Sequence, residues 1–142
     1  MAMKTIKVAD ATNTQLDWLV ATCEDVAFTL DASLSYYPVL VIKGEEHLVD
    51  DFYSGYSPTT RPEQMWPIIE GEGIDVCLDR DRVFDPGEKV ERWFAWMPSD
   101  TPDAEWVEYG PTSLIAAARC YCCAKLGDVV EIPEELCQQQ SS

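Results

Sequence analysis

Apolar positions recur at helical spacing in two segments of the chain. In the first, Leu16, Leu19, Val20 and Cys23 lie three and four residues apart, on one face of a 3.6-residue helix. Thr12-Asn13-Thr14-Gln15, just before them, has capping-box spacing: the threonine hydroxyl accepts from the third amide and the glutamine reaches back to the threonine amide. The pattern predicts a helix over Asn13–Cys23 with one buried face, and Asp17 and Trp18 fall off that stripe. Trp18 then lies against a neighbouring loop or marks an interaction surface.

The second segment, residues 114–126, has almost no polar face. Thr112 or Ser113 can accept bonds from its first amides, Lys125 suits the negative end of its dipole, and Gly127 can take the left-handed conformation that closes a helix. Leu114, Ile115, Ala118, Tyr121, Cys122 and Leu126 occupy one arc, with the smaller Ala116, Ala117, Cys120, Cys123 and Ala124 opposite. The expected arrangement sets large residues toward a sheet and small ones toward a close neighbour, the first helix. A homodimer partner is the alternative neighbour.

Between these helices the signals are extended. Residues 5–8, the run around Phe28 and Leu30, and Val39–Ile42 are rich in β-formers, with Leu48-Val49 a candidate return strand. Residues 50–60 read as a loop. Pro62 suits the first turn of a short helix with Glu63 at its positive end, and Trp66-Pro67 is expected to interrupt anything longer. Ile74, Val76 and Leu78 alternate with Asp75 and Cys77, predicting a half-buried strand. Asp85-Pro86-Gly87-Glu88 fits a type II turn. Residues 90–97 carry Val90, Phe94 and Trp96 on one side and Trp93, Ala95 and Met97 on the other, as in a central strand covered on both faces. Further strands are expected at 104–109 and 129–132. The predicted class is α+β: a single small domain over 1–142, with a mostly antiparallel sheet, two main helices, a central and largely buried C-terminal helix, and a short disordered tail.

Composition narrows the function. The net charge of −16 over 142 residues argues against direct binding of nucleic acid or anionic membrane and permits a basic partner. No apolar run nears the ~20 residues that span a bilayer, and no signal segment opens the chain, so a cytoplasmic location is expected, with the six cysteines as thiols. Cys120-x-x-Cys123 sits late in an apolar helix, where dipole and burial both disfavour the thiolate, and nothing completes a zinc site around it. His47 is the only histidine. The run Asp79-Arg80-Asp81-Arg82-Val83-Phe84-Asp85 departs from a calcium loop at Val83 and lacks its glycine. No phosphate-cradling loop or nucleophile elbow is present. No catalytic residue, cofactor or metal is predicted.

Residues 67–108 hold twelve acids against four bases. A solvated face accounts for this; the sharper reading is a negative surface that includes Asp75, Asp79, Asp81, Glu91, Glu105 and Glu108, with Trp18 a further contact. Tyr56, Trp66, Trp93, Trp96 and Trp106 either fill the core or line a pocket.

Three blocks together resemble the NinX family of lambdoid phages, the P22 NinX-like proteins. They are residues 4–23, with Leu16-Asp17-Trp18; Tyr56-Ser-Pro-Thr59 with Pro67-Ile-Ile-Glu70 and Glu72-Gly-Ile74; and Gly110-Pro-Thr112 through Leu114-Ile-Ala-Ala117, Arg119-Cys-Tyr121, Lys125-Leu-Gly-Asp128 and Glu131-Ile-Pro-Glu-Glu-Leu136. Residues 24–55 and 60–66 depart from the pattern. The resemblance implies a small phage accessory protein of the infected host's cytoplasm and carries over no catalytic residue. The expected function is a non-enzymatic, acidic interaction module acting on a host or phage protein with a basic surface. Nucleic-acid mimicry against host defence is a variant of it. The alternative is a small-ligand-binding protein or enzyme with an aromatic-lined pocket around Trp93, Trp96 and Tyr56.

Overall fold

The computed structural model describes residues 3–24, 39–42, 45–48, 57–98 and 105–138. Strand β1 (Met3–Lys7) runs through a 3-10 turn (Val8–Asp10) into helix α1 (Asn13–Cys23), and β2 (Val39–Ile42) and β3 (Glu45–Leu48) follow. Helix α2 (Pro62–Glu72) precedes β4 (Asp75–Leu78), β5 (Trp93–Pro98) and β6 (Glu105–Gly110), and the chain continues through α3 (Ser113–Leu126), β7 (Val129–Pro133) and α4 (Glu134–Gln138). The fold is α+β, and every described strand pairing is antiparallel: β4-β5-β6 form one sheet, β1 pairs with β7, and β2 with β3. The return strand β3 begins at Glu45, earlier than the expected Leu48-Val49, and Leu48 ends it opposite Val39; Val49 lies outside the described residues. The extended run around Phe28 and Leu30 lies outside the described residues.

At α1 the capping box forms as its spacing predicts: Thr12 Oγ1 accepts from the Gln15 amide at 3.4 Å, and Gln15 Oε1 from the Thr12 amide at 3.0 Å. Its burial is wider than one stripe. Residues 15–21 are all buried, including Asp17 and Trp18. The polar side of the helix is covered because Asp17 Oδ1 accepts from the Thr59 amide at 2.9 Å and Oδ2 from the Ser57 hydroxyl at 3.0 Å. A carboxylate at an off-stripe position thus pins the 57–60 turn over the helix, satisfying the charge that its burial requires.

Helix α2 runs unbroken through Trp66-Pro67, contrary to the expected interruption. Pro67 denies the Glu63 carbonyl an acceptor role, a loss of ~3 kcal/mol in an ordinary helix interior. Both residues are on the exposed side, where water can serve that carbonyl, while Met65, Ile68 and Ile69 are buried on the other. Core burial of ~1.5–3 kcal/mol per large apolar side chain outweighs the lost bond. Gly73, at φ 68°, closes the helix in the left-handed conformation.

Helix α3 is buried between the three-stranded sheet and α1, and its two arcs face opposite to expectation. The small arc meets the sheet: Cys120 Sγ donates to the Trp106 carbonyl at 3.3 Å and Cys123 Sγ to Glu108 Oε1 at 3.2 Å. The larger arc meets α1, where the Tyr121 hydroxyl donates to Glu24 and the Cys122 thiol is hydrogen-bonded to that of Cys23. The sheet decides this. Its inner face already presents Trp93, Met97 and Trp106, so the helix approaches with alanine and cysteine.

The closest approach is at Gly110, the last residue of β6, where an added Cβ would lie 2.7 Å from the Ala116 amide nitrogen and 3.1 Å from its Cα. Backbone atoms cannot swing away as a flexible side chain can. Gly110→Ala is expected to cost about 2–3 kcal/mol, read as a lowered urea midpoint with an unchanged slope; a stability equal to that of the parent protein would contradict this packing.

Candidate functional site

Alternation along β4–β6 sorts the predicted acids and aromatics onto two faces. Asp75, Trp96 and Val107 are in register, as are Cys77, Phe94 and Tyr109, and these residues with Glu105 form the outer face. Val76, Ala95 and Glu108 form an inner row, with Trp93 and Trp106 also inward. Trp93 and Trp96 therefore lie on opposite faces. Trp66 is 48% exposed on α2, Trp18 is 7% exposed in the core, and Tyr56 lies outside the described residues.

The predicted acids divide likewise. Asp75, Asp81 and Glu105 are exposed. Asp79 Oδ1 accepts from the Asp81 amide at 3.2 Å within the β4–β5 connection. Across the connection, Arg82 lies 4.2 Å from the Tyr109 ring centroid and 5.0 Å from that of Phe84, so this arginine of the run is held against aromatics. The turn closing it is as expected, with Gly87 at φ 83° and the Glu88 amide donating to the Asp85 carbonyl at 3.0 Å. Glu91 and Glu108 are drawn inward: Glu91 pairs with Arg119, and Glu108 faces α3.

Glu108, Cys123 and Asp128 place one potential ligand atom each within 4.8 Å of one another, the group among the described residues best placed to bridge a cation. Burial raises the Glu108 pKa most, opposed by the Cys123 hydrogen bond, with Asp128 raising it further. Burial also raises the Cys123 pKa, followed by its bond to Glu108. The resting state is a thiol donating to a carboxylate.

A site unforeseen from the sequence centres on Arg119 of α3. Its side chain is 4% exposed, and Nη1 donates to Glu91 Oε1 at 3.0 Å and to the Tyr109 carbonyl at 2.9 Å. Nη2 reaches the Ala11 carbonyl only at 3.5 Å, and Nε has no partner among the described residues. The guanidinium lines an open pocket of ≈ 410 Å³ with Thr12, Asn13 and Thr14 of the α1 N-terminus and Lys89; Ala11, Pro111, Ile115 and Leu136 complete the walls. A second pocket, ≈ 360 Å³, lies along β1 and holds Lys4, Lys7 and Asp10. Neither is lined by a tryptophan. The only advance signal for the Arg119 pocket was one arginine inside an otherwise apolar helix, without the segments that converge on it.

Two outcomes follow from the inner row and the thiols. A raised Glu108 pKa contributes stability that is present below the ordinary value of 4.5 and lost as pH rises through the folded value. Glu108→Gln keeps an acceptor for Cys123 and removes the disfavoured charge, so it should raise the melting midpoint at pH 7 by roughly 2–4 °C and leave it unchanged near pH 4. Equal midpoints at pH 7 would show that Glu108 is not strained by burial. Burial likewise pushes the Cys120 thiol from 9.0 up to about 12 and raises Cys123, while the hydrogen bond with Cys23, and burial after it, raise Cys122. Unfolded thiols ionise first, so stability should decline as pH climbs from about 9 toward 12. Under native labelling at pH 8, exposed Cys77 should react while Cys120, Cys122 and Cys123 wait for unfolding; simultaneous labelling would contradict the burial.

Among the described residues no helix is long and apolar enough to cross a membrane. The chain was compared with known proteins, and no curated protein matches it. A family model described as bacteriophage P22, NinX, matches residues 7–125, a span that takes in α1, α2, the β4–β6 sheet and nearly all of α3. The chain belongs to the phage P22 NinX family.

Proposed function

We propose that this NinX-family protein is a non-enzymatic interaction module that binds a basic host or phage protein through the outer face of β4–β6. The observation that carries the reading is the composition of that face: half-buried Phe94, Trp96 and Tyr109 and exposed Val107, with exposed Asp75 and Glu105 on the same face. Aromatic centres within polar rims are typical of protein interfaces, and the −16 charge favours a cationic partner and speeds its encounter. The expected compartment is the cytoplasm of the infected host.

A finer form of the reading is imitation of nucleic-acid phosphates, occupying a defence or DNA-handling protein. It is supported by the charge and by the exposure of Asp75, Asp81 and Glu105. Glu91 and Glu108, drawn inward, contribute less to such a surface.

Affinity purification from infected cells, followed by mass spectrometry, tests both forms. The parent protein should retain a basic partner at ~0.1 M salt and lose most of it at ~0.5 M, where charges are screened within a few ångströms. The double variant Asp75→Lys, Glu105→Lys should lose the partner at either concentration, while Glu70→Lys on the exposed side of α2 keeps it. Release of the partner by a short DNA duplex supports mimicry. Capture that ignores the double variant would overturn the assigned face.

A further inference from the structure

We propose that the pocket beside Arg119 binds a small organic monocarboxylate, with its anionic group among Arg119, Lys89 and the first turn of α1 and its apolar body against Pro111 and the edge of Ile115. The chain holds 26 acidic residues, and none is among the described residues that line this pocket. A negatively charged protein has here left a local positive site. Its three sources are independent of one another: a guanidinium, an ammonium group and the positive end of an 11-residue helix.

Arg119 supplies the observation that points to a ligand. Burying a guanidinium is costly unless its donors are satisfied. Here Nη1 is fully engaged and Nη2 has only one bond, at the 3.5 Å limit, which leaves it a hydrogen for a ligand; Nε is buried away from solvent and takes no part. The side chain is nine-tenths buried and lines the pocket, so an anion there meets a donor set already held in place by Glu91 and Tyr109. Arginine's planar fork suits a carboxylate better than a point charge does. The Asn13 amide, at the first helical position, adds a donor with no acceptor inside α1.

Charge count selects a monoanion. Arg119 and Lys89 face one carboxylate, Glu91, at 3.0 and 3.7 Å, leaving one positive unit and the helix end. A phosphate dianion would be undercompensated. The volume, ≈ 410 Å³, falls within the range of small-ligand pockets, and the aliphatic walls give a hydrocarbon or aryl body its contact.

Calorimetric titration of the whole protein with sodium phenylacetate, phenylacetamide and inorganic phosphate tests this. Substituting Arg119 itself risks the fold, so the variants are Lys89→Gln, whose side chain is 72% exposed, and Lys125→Gln, which pairs with Glu72 outside the pocket lining. The expected result is one saturable phenylacetate site, roughly tenfold weaker for the amide, weakened roughly two- to fivefold by Lys89→Gln and unaffected by Lys125→Gln. The proposal is overturned by absence of saturable binding, by an amide that binds as well as the acid, by phosphate binding as tightly as phenylacetate, or by equal effects of the two lysine variants.

Discussion

Arg119 sits on a helix buried from Ile115 to Cys123 and holds three segments that are far apart in sequence. Its guanidinium reaches the Tyr109 carbonyl at the end of β6, the Glu91 carboxylate before β5, and the Ala11 carbonyl before α1. Removing one partner of such a buried pair typically costs several kcal/mol, because the other charge is left uncompensated. The arrangement therefore fixes more than local geometry. It sets where α3 lies along the sheet, where α1 begins, and which way Glu91 turns. Glu91 is withdrawn from the acidic surface because the core requires it.

The same economy runs through the packing of α3. The inner face of the sheet is crowded with Trp93, Met97 and Trp106, so the helix meets it with alanine and cysteine and contacts Gly110 at backbone distance. The cysteines serve as compact side chains with weak donors, each finding an acceptor on β6 or a neighbour on α1. Bulk is moved to the helix–helix side, where Tyr121 spans to Glu24 and Lys125 covers its ring.

Local signals were legible in the chain and long-range ones were not. The capping box at Thr12 and Gln15, the turn at Asp85–Glu88, the alternation of 74–78 and the span of α3 depend on neighbours within a few residues, and each forms as read. Gly127 ends α3 at φ 95° and ψ 175°, a positive φ but an extended backbone in place of the expected left-handed helical one. The break expected at Pro67 is overridden by burial of Met65, Ile68 and Ile69, a tertiary effect with no local trace. Asp17 looked like a solvent-facing acid because its partners, Ser57 and Thr59, lie forty residues on. The orientation of α3 could not be settled from its own two arcs, since the bulk of the facing sheet decides it. The Arg119 pocket was illegible for the same reason: residues 11–14, 89, 111–119 and 136 meet only in the folded chain.

The pairing of β1 with β7 sets Met3 opposite Pro133 and Lys7 opposite Val129. During synthesis β1 leaves the ribosome long before β7 and cannot pair with it until the intervening elements have been made. Contacts of such high sequence separation close slowly, and an unpaired strand is open to wrong partners meanwhile. Met3–Lys7 carries two lysines and only one large exposed apolar residue, Met3. Cationic side chains on a waiting strand discourage edge-to-edge association, so two of this acidic protein's few positive charges double as protection during synthesis.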